Sequence, residues 1–486
     1  MTYLSLFFFS LSFLWPAHFE PLPLFYQNSF IFLSLVCLLM NLKEVVIDKL
    51  AIVFVIVLII MMLLEIFINK SLSDGAIYFL VTVFFIIVSY ISGVNYRQNL
   101  ERIASFVNVF LFTAIILFFI QIGQVYHIDS IFIKYMSATS NRYYSNIGQP
   151  NILATIYAIA IAYLSFKKTH AKFVLLISIF VLGVFLTKSR VGYLSVFLVC
   201  VLSIFTLNQF TVRNIIKSIY PILLLIVIFF INYLNKDSLV SSNRLNSLDS
   251  ARVNIYKDAI SLISDRPILG YGWEAANRYI PNNNVVYFKG SLYSYHNIVF
   301  DLLLSYGFII TSIWFFIFLK IAWRNKENNT KIFVITLPFL LHCLVEFPYY
   351  YWYLLMPFIF LTGFINKLYF NKTVITLSRK FLLLIVLIFL LIYNIFYNEY
   401  ESLSQNYLSI YDKECRELPK SNWVFFQESS KHIEFFCLDN SKQNQKKEIV
   451  FDSLKYTLLI NYIDTYPLKN DGLNKYACIK YNYSCQ

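Results

Sequence analysis

The sequence predicts an all-α protein that crosses a membrane many times. Hydrophobic residues make up 58% of the 486 residues and charged residues 14%, whereas soluble domains contain about 25% charged residues. Long apolar runs recur between residues 3 and 397, and a hydrocarbon core about 30 Å thick requires roughly 20 apolar residues per helix. Because these runs are continuous and do not alternate with polar residues, they do not suit the strands of an outer-membrane barrel.

Each predicted span is one such run, and we expect about 12–14 of them, with about thirteen as the best count. The first run has no basic segment and no small-residue cleavage site, so we interpret it as a span and not as a cleaved signal. The predicted spans are residues 3–17, 27–42, 49–68, 75–92, 103–124, 151–166, 172–187, 191–207, 216–234, 296–319, 332–347, 349–366 and 380–397.

The basic residues predict the orientation of these spans. A net charge of +13 would suit nucleic acid, but most basic residues lie in short loops between apolar runs, where they act as topology signals. We therefore expect a membrane lipid partner and no nucleic-acid partner. If the N-terminus is cytoplasmic, nearly every loop on the cytoplasmic side is basic. The short loops on the other side carry only Lys70, Lys134, Arg142, Lys188 and Arg190.

This orientation places three segments outside: residues 125–150, a large loop at about 235–295, and the tail 398–486. The tail holds four of the seven cysteines. Because thiols oxidise outside the cytoplasm, these cysteines predict two disulfides in one of three connectivities, and four free thiols are the alternative. Local pairing is the simplest arrangement: Cys415 with Cys437, and Cys478 with Cys485. The chain then divides into a transmembrane domain, 1–397, and a disulfide-stapled tail.

Polar residues gather at the predicted outer ends of the spans. They are Gln149 and Asn151 in SNIGQPN (145–151), Lys188 and Arg190 in TKSRVG, Arg252 in the large loop, His296 and Asn297 at the start of one span, and His342 and Glu346 at the end of another. Each has an ordinary structural interpretation, since arginines at span ends snorkel to headgroups and amides cap helices. Because cations, an imidazole, a carboxylate and amides share one leaflet, we favour a site for a phosphate-bearing lipid. Guanidinium binds phosphate bidentately and keeps its proton.

Several motifs of other enzyme classes are missing from the sequence. It contains no HExxH, CxxC, Walker loop or GxSxG, and no acidic cluster of the kind that binds Mg²⁺. A transferase that uses nucleotide-sugars would normally need a metal or a nucleotide-binding domain. A lipid pyrophosphate leaving group could be neutralised by arginines alone, so we expect no metal and no cofactor.

Five segments together resemble a known family. They are GQPNILAT (148–155), TKSRVGYLS (187–195), the loop arginine Arg252 followed by PILGYGW (267–273), YHNIVFDLLLSYG (295–307) and HCLVEFP (342–348). They are similar to motifs of the bacterial pilin-type O-oligosaccharyltransferases (PglL or PilO type) of the O-antigen ligase (WaaL/Wzy) superfamily. The resemblance covers about residues 15 to 366 and implies a GT-C-like helical fold. The first outer loop lacks the family's acidic residue near Asn28, so we assign it no catalytic role.

The resemblance implies en bloc transfer of an oligosaccharide from undecaprenyl pyrophosphate to Ser or Thr hydroxyls of a pilin-like periplasmic protein. The enzyme would be multi-pass in the inner membrane, with its active site facing the periplasm, and one displacement would invert the anomeric carbon without a metal. Arg190 and Arg252 would bind the pyrophosphate, while His296 would be a general base or a third phosphate ligand. Glu346 and His342 would orient His296 or the acceptor. The substrate-binding candidates are Gln149, Asn151, Asn297, His342 and Lys188.

Two alternatives remain open from the sequence. A ligase that moves O-antigen onto lipid A-core, or an O-antigen polymerase, would share most of these motifs, but the QPN and HxxxEFP segments count against both. A transporter of lipid-linked glycans belongs to a different class and would be expected to carry ionisable residues near mid-membrane. The predicted spans carry few charges in their interiors.

Overall fold

The computed structural model describes most of the chain except the C-terminal region and several connecting segments. The described residues are 2–18, 24–69, 74–97, 99–128, 142–167, 170–206, 212–234, 242–272, 294–324, 326–365 and 375–411. Cys415, Cys437, Cys478 and Cys485 lie outside this part, so their predicted disulfides stay a prediction.

The fold is helical, as the apolar runs predict. The helices are α1 (Thr2–Leu14), α2 (Phe25–Met40), α3 (Lys49–Asn69), α4 (Asp74–Tyr96), α5 (Leu100–Val125), α6 (Pro150–Ser165), α7 (Ala171–Thr187), α8 (Arg190–Thr206), α9 (Val212–Leu234), α10 (Ser242–Asp265), α11 (Ile298–Arg324), α12 (Lys326–Cys343), α13 (Trp352–Ile365) and α14 (Arg379–Tyr411). Two short 3₁₀ helices, Ser145–Ile147 and Pro348–Tyr350, precede α6 and α13.

Length and composition identify two helices that could cross a membrane alone. Among the described residues these are Glu101–Val125 in α5 and Ile298–Ile317 in α11, and ten other helices contribute shorter apolar stretches of 10–17 residues. Large apolar side chains such as Phe112, Phe119 and Leu391 are exposed on the outside of the bundle. Such a surface suits lipid better than water. The number of crossings and their orientation stay predictions.

A small antiparallel sheet joins two loops at the end of the bundle that the basic residues predict to be cytoplasmic. Strand β1 (Glu44–Ile47) pairs with β2 (Ile375–Ser378), with Val45 opposite Leu377. The side chain of Asn95 in α4 donates to the carbonyl of Val46 and accepts from its N–H. The sheet therefore ties the α2–α3 loop to the start of α14.

Helix α6 lies at the centre of the main apolar core. Most of its residues are buried, and its neighbours in the core come from α1, α2, α4, α5, α7, α8, α12 and α13. Its first turn belongs to the segment SNIGQPN, so this polar segment leads directly into a largely buried helix.

Several predicted spans differ from the observed helices at their ends, and two of these differences bear on the site and on the boundary of the tail. Helix α12 ends at Cys343, earlier than the predicted span 332–347. The N–H groups of Val345 and Glu346 bond the His342 carbonyl in a turn, and Pro348 prevents the helix from continuing. Helix α14 runs to Tyr411, beyond the predicted boundary at 397.

The large loop contains α10. Its sequence predicts an amphipathic helix of the kind that lies in a membrane interface, because Val253, Ile255, Ala259, Ile260, Leu262 and Ile263 fall mostly on one helical face. Its buried face carries Ile255, Ala259 and Leu262, which pack with Tyr271 and Tyr295. Val253 and Ile260, expected on the same face, are instead about half exposed. The apolar face of α10 thus lies against the start of α11.

The segment after α10 docks on a break in α11 through backbone hydrogen bonds. Tyr271 N–H bonds the Leu304 carbonyl (2.6 Å), and Phe308 N–H bonds the Pro267 carbonyl (2.7 Å). Gly307 lies at the break with φ 67°, and a Cβ there would lie 2.0 Å from the Ile268 carbonyl oxygen. The glycine at 307 thus permits the contact that fixes α10 over α11.

Gly307→Ala should lower the unfolding temperature of the purified protein and expose the loop to protease. The positive φ alone costs about 1–2 kcal/mol for a residue with a Cβ, and the clash adds to this cost. Thermal unfolding and limited proteolysis in detergent measure the effect. Ser264→Ala, an exposed change on α10, is the control. A Gly307→Ala protein as stable and as protease-resistant as the control would contradict the docking role.

Candidate functional site

The carboxylate of Glu346 joins residues from four parts of the chain. Glu346 lies in the turn between α12 and α13, and its Oε1 accepts from Arg252 Nη2 at 2.5 Å. Its Oε2 lies 2.7 Å from His296 Nδ1. Asn151 Nδ2 donates to Oε1 at 3.4 Å. Four sequence-predicted residues, distant along the chain, are therefore in direct contact.

The three charged groups at this point differ in exposure. The side chain of Glu346 is 8% exposed, whereas that of His296 is 27% exposed and that of Arg252 is 41% exposed. The carboxylate thus forms the floor of the site, and the imidazole and guanidinium form its accessible rim.

His296 is held by a network centred on Asp301. The partly buried carboxylate of Asp301 accepts from the Ser294 hydroxyl (2.5 Å), the Tyr295 N–H (2.8 Å) and the Tyr349 hydroxyl. The Ser294 hydroxyl in turn accepts from the His296 N–H at 2.9 Å. This support holds His296 at φ 54°, a left-handed conformation that is costly without glycine and that concentrates at functional sites.

Helix α10 presents Arg252 and, one turn later, Tyr256. The Tyr256 ring packs edge-on against Phe300 with centroids 5.1 Å apart, and its hydroxyl lies beside the side chain of Asn297. Asn297 also donates to the Leu344 carbonyl (2.9 Å) and accepts from Val299 N–H at the start of α11. Burial raises the pKa of Tyr256, with the charge of Arg252 opposing, so the phenol stays protonated.

Two glutamines of α5 hold the polar segment that precedes α6. Gln124 Oε1 accepts from the N–H groups of Tyr144 (3.1 Å) and Ser145 (2.7 Å). Gln121 Nε2 donates to the Tyr143 carbonyl at 2.9 Å. Because unpaired backbone groups are costly inside an apolar bundle, these side chains allow an irregular segment to remain buried there.

The asparagine of SNIGQPN ties the segment to the first helix. Asn146 Nδ2 donates to the Leu14 carbonyl at 2.7 Å, and the Asn146 carbonyl lies 2.9 Å from His18 Nε2. The side chain of Gln149 caps α6 by accepting from Ile152 N–H at 2.7 Å, and Pro150 occupies the first helical position. In the structure Gln149 is therefore a helix cap, whereas Asn151, two residues later, reaches Glu346.

Arg142 connects this segment to the turn between α7 and α8. Its Nε donates to the Thr187 carbonyl at 3.0 Å, and its Nη2 donates to Asn151 Oδ1 at 2.8 Å. The amide of Asn151 thus lies between the Arg142 guanidinium and the Glu346 carboxylate. The α7–α8 turn is in this way linked to the Glu346 site by two intervening side chains.

Lys188 and Arg190 lie on that turn. Lys188 ends α7 in the left-handed region with φ 49°, and Arg190 begins α8 with an exposed side chain. The hydroxyl of Ser189 accepts from Gly192 N–H at 3.1 Å and caps α8. The tight turn predicted from TKSRVG is present.

His342 lies beneath the site and not on its rim. It is completely buried, and its Nδ1 lies 2.8 Å from the Thr155 hydroxyl in α6. The Thr155 hydroxyl also lies 3.1 Å from the Asn151 carbonyl. His342 thus contacts α6, the helix that carries Asn151. No direct contact is seen between the described side chains of His342 and His296.

The environment of Glu346 keeps its carboxyl group ionised. Burial alone raises the pKa of Glu346, but the hydrogen bond and charge of His296 and the charge of Arg252 outweigh burial, and the pKa is lowered. The site therefore holds a permanent negative charge between two groups that can be cationic.

Within the described part of the chain, no three His, Cys, Asp or Glu side chains cluster as metal ligands would. The expectation of a metal-free reaction stays a prediction, which chelation can test.

Sequence reasoning did not identify Arg142, Asp301 and Tyr256 as site residues. Asp301 lies within the motif that begins at His296, and Tyr256 lies one turn after Arg252 on a predicted helix. Both spacings could have suggested proximity. Arg142 was noted only as an outer-loop charge, and its contacts arise from tertiary packing that no local pattern reveals.

Comparison with known proteins points to one class of enzyme. Residues 173–315 match the O-antigen ligase family. The chain is 26% identical over 434 residues to the ComP-specific O-oligosaccharyltransferase of Acinetobacter baylyi, covering 82% of this chain and 74% of that protein. It is also 26% identical over 261 residues to the general O-oligosaccharyltransferase of the same organism, covering 48% of this chain and 45% of that protein.

These matches confirm the class that the five motifs resemble, the O-oligosaccharyltransferases of the O-antigen ligase superfamily. The protein is accordingly an enzyme, a glycosyltransferase.

Asp301→Asn should lower the transferase rate by about 10–100-fold while the protein still accumulates. An amide cannot accept all three hydrogen bonds that Asp301 accepts, and a small displacement of a reacting group can cost about 10²-fold. Initial rates of the purified enzyme measure this effect. The control is Asp265→Asn on the exposed end of α10. A full rate for Asp301→Asn would show that the network does not position His296.

Proposed function

We propose that this enzyme transfers an oligosaccharide en bloc from undecaprenyl pyrophosphate to Ser or Thr hydroxyls of a pilin-like periplasmic protein. The observation that carries this proposal is the position of Glu346 between His296 and Arg252. One carboxylate thereby couples an imidazole that can take a proton to a guanidinium that can bind phosphate.

His296 acts as the general base in this proposal. The Glu346 carboxylate can only accept a hydrogen bond when ionised, so the His296 Nδ1 next to it carries a proton. In the neutral ring Nε2 is then the unprotonated nitrogen, available to the acceptor hydroxyl. A carboxylate that fixes the tautomer and orientation of a catalytic histidine is a recurring arrangement in enzymes.

Arg252 and Arg190 neutralise the leaving group. The acceptor oxygen forms a bond to the anomeric carbon while the bond from that carbon to the pyrophosphate oxygen breaks. The electron pair of the broken bond leaves with undecaprenyl pyrophosphate, and the hydroxyl proton passes to His296 Nε2. This single displacement inverts the anomeric carbon. Guanidinium groups held in place before the reaction stabilise the charge as it develops.

The remaining candidates position these groups. Arg142 donates hydrogen bonds to the Thr187 carbonyl, next to the α7–α8 turn, and to Asn151. It would therefore keep Lys188 and Arg190 at a fixed position relative to Glu346. His342 would support the start of α6 through Thr155, and Asn297 would fix the start of α11. Substrate contact by Gln149 finds least support because its side chain caps α6.

The proposed enzyme lies in the bacterial inner membrane with a cytoplasmic N-terminus. The basic loops support this orientation. The turn at Lys188, the loop helix α10 and the start of α11 would then face the periplasm, where lipid-linked donor and folded acceptor meet. The tail 398–486 would be periplasmic and oxidised.

Arg190→Ala and Arg252→Ala should each lower the transfer rate by about 10²–10³-fold, because each removes one preorganised contact to the developing charge. The rate of acceptor-peptide glycosylation by purified enzyme measures this loss. Lysine at either position should restore little, since it cannot make the bidentate contact.

Arg266→Ala is the matched control for both variants. Arg266 is an exposed arginine of the same loop, and its guanidinium lies over the Tyr271 ring at 4.7 Å. Its alanine variant should keep nearly full activity. Near-wild-type rates in both Arg190→Ala and Arg252→Ala would rule out the proposed pyrophosphate contacts.

His296→Ala should abolish transfer to a peptide hydroxyl yet bind the lipid-linked donor nearly as well as the parent. Donor binding to the immobilised enzyme and single-turnover transfer separate the two steps. If donor binding weakens as much as in Arg252→Ala, His296 is a phosphate ligand and not the base. His170→Ala, at the start of α7, is the control.

The same assay tests the proposed independence from metals. Transfer in the presence of EDTA should proceed at the rate seen without it, because the arginines supply the positive charge that a metal would otherwise supply. A rate that EDTA abolishes and a divalent cation restores would contradict this part of the proposal.

A further inference from the structure

An apolar cavity of about 170 Å³ lies inside the bundle, away from the Glu346 site. Helices α1, α2, α5, α6, α12 and α13 line it, with side chains that include Phe9, Leu35, Phe106, Phe339, Tyr353 and Phe358. Voids larger than a water molecule are few in protein interiors. This cavity is partly open, so an apolar ligand can enter it from outside the bundle.

The wall contains few polar groups, and two of its hydroxyls are already bonded within the protein, whereas the buried hydroxyl of Tyr353 has no hydrogen-bond partner among the described residues. The Ser34 hydroxyl donates to the Ser5 carbonyl at 2.8 Å, and the Thr336 hydroxyl donates to the Ile332 carbonyl at 3.0 Å. A water molecule needs two to four polar partners in a buried site, and this wall offers few. The cavity thus suits a hydrocarbon chain.

One cation is tied to the cavity wall at the end of the bundle that carries the β1–β2 sheet. Arg102, in the first turn of α5, donates to the Tyr96 hydroxyl at 3.3 Å, and its guanidinium lies 5.6 Å from the centroid of that ring. The Tyr96 hydroxyl donates to the carbonyl of Leu38, and its ring lies 6.4 Å from that of Phe360. Both Leu38 and Phe360 line the cavity.

Two further cations lie at the same end. Lys167, just after α6, holds its Nζ 4.6 Å from the centroid of the Tyr163 ring, and Tyr163 lines the cavity. Lys331 lies one turn before Ile335, another lining residue of α12. Glu101 is an exposed carboxylate at this end and offsets part of the charge. Among these four residues the balance is positive.

This cationic end is far from the candidate active site. Helix α6 begins at the site and ends beside Lys167, and its 16 residues correspond to a length of about 24 Å at 1.5 Å per residue. A lipid whose phosphate binds at the site cannot place the same phosphate at Arg102 and Lys167.

We propose that the cavity binds one hydrocarbon chain of an anionic glycerophospholipid, whose phosphate lies at Arg102, Lys167 and Lys331. Basic pockets between transmembrane helices are suited to anionic headgroups, and the apolar wall provides for the chain. This lipid is distinct from the glycan donor, and the proposal does not depend on the transfer reaction.

Phosphatidylglycerol should raise the unfolding temperature of the delipidated full-length protein more than phosphatidylcholine does. Arg102→Gln and Lys167→Gln should each weaken phosphatidylglycerol binding and so raise its half-saturating concentration about fivefold. This is the effect expected of one basic residue beside an anionic headgroup. Lys172→Gln is the matched control. It removes the same charge at the same end, where Lys172 contacts Phe173 on α7, a helix that contributes no wall residue.

Equal stabilisation by the two phospholipids, or an equal effect of Lys172→Gln, would overturn the headgroup site. Stabilisation by undecaprenyl phosphate alone would show that the occupant is a polyprenyl chain and would also overturn the proposal.

Photo-cross-linking of the unmodified protein tests the chain site without relying on a variant that folds. Phosphatidylglycerol with a diazirine in its acyl chain should label peptides that contain Phe106 and Phe339. Labelling confined to the outer surface, at Phe112, Phe119 and Leu391, would show that the chain does not enter the cavity.

Discussion

The Glu346 carboxylate is the constraint on which the candidate site depends. It accepts from Arg252 on the loop helix and lies beside His296 at the start of α11. A carboxylate that is 8% exposed would be costly to bury without partners, because desolvation of one ion costs several kcal/mol. Its partners must therefore stay in place, and each belongs to a different segment. The position of the loop helix over the bundle is thus coupled to the position of the histidine.

The surrounding structure supplies the geometry that this carboxylate requires. Gly307 permits the close docking of the loop on α11, and Asp301 holds the segment that carries His296. From the opposite side, Gln124 fixes the segment before α6, so that Asn151 reaches the same oxygen as Arg252. Polar groups in an apolar bundle are costly unless they are fully bonded. This cost explains why the polar residues of SNIGQPN form so many contacts.

Much of the fold followed from one-dimensional patterns. Apolar runs predicted the helices, and Pro348 and the Gly307 region set where they end or break. The contacts of His296, Arg252 and Asn151 with Glu346 could be anticipated as a cluster on one leaflet, but not as a single shared carboxylate. His342 and Glu346 are four residues apart, a spacing that in a continuous helix places both side chains on one face. In the structure the helix ends between them, so one is buried and the other reaches the site.

The residues that the sequence did not reveal are those whose role depends on packing. Arg142 precedes the irregular segment that leads into α6, and it contacts Thr187 and Asn151 only because α6 and α7 lie side by side. In the sequence, Arg102 and Lys167 are simply basic residues near the ends of predicted spans. Only the structure shows that they lie next to residues that line the cavity. Periodicity reports which face of a helix is apolar. It does not report which neighbour that face will meet.

The most direct test of this account is the transfer rate of Glu346→Gln. The amide keeps the size of the side chain but removes the charge that orients His296 and pairs with Arg252. Loss of an orienting carboxylate beside a catalytic histidine can cost about 10⁴-fold in rate, so we predict a fall of at least about 10²-fold in a protein that still accumulates in the membrane. Glu401→Gln, an exposed change on α14, should transfer at the parental rate. A Glu346→Gln enzyme that also transfers at the parental rate would contradict the central role of this carboxylate.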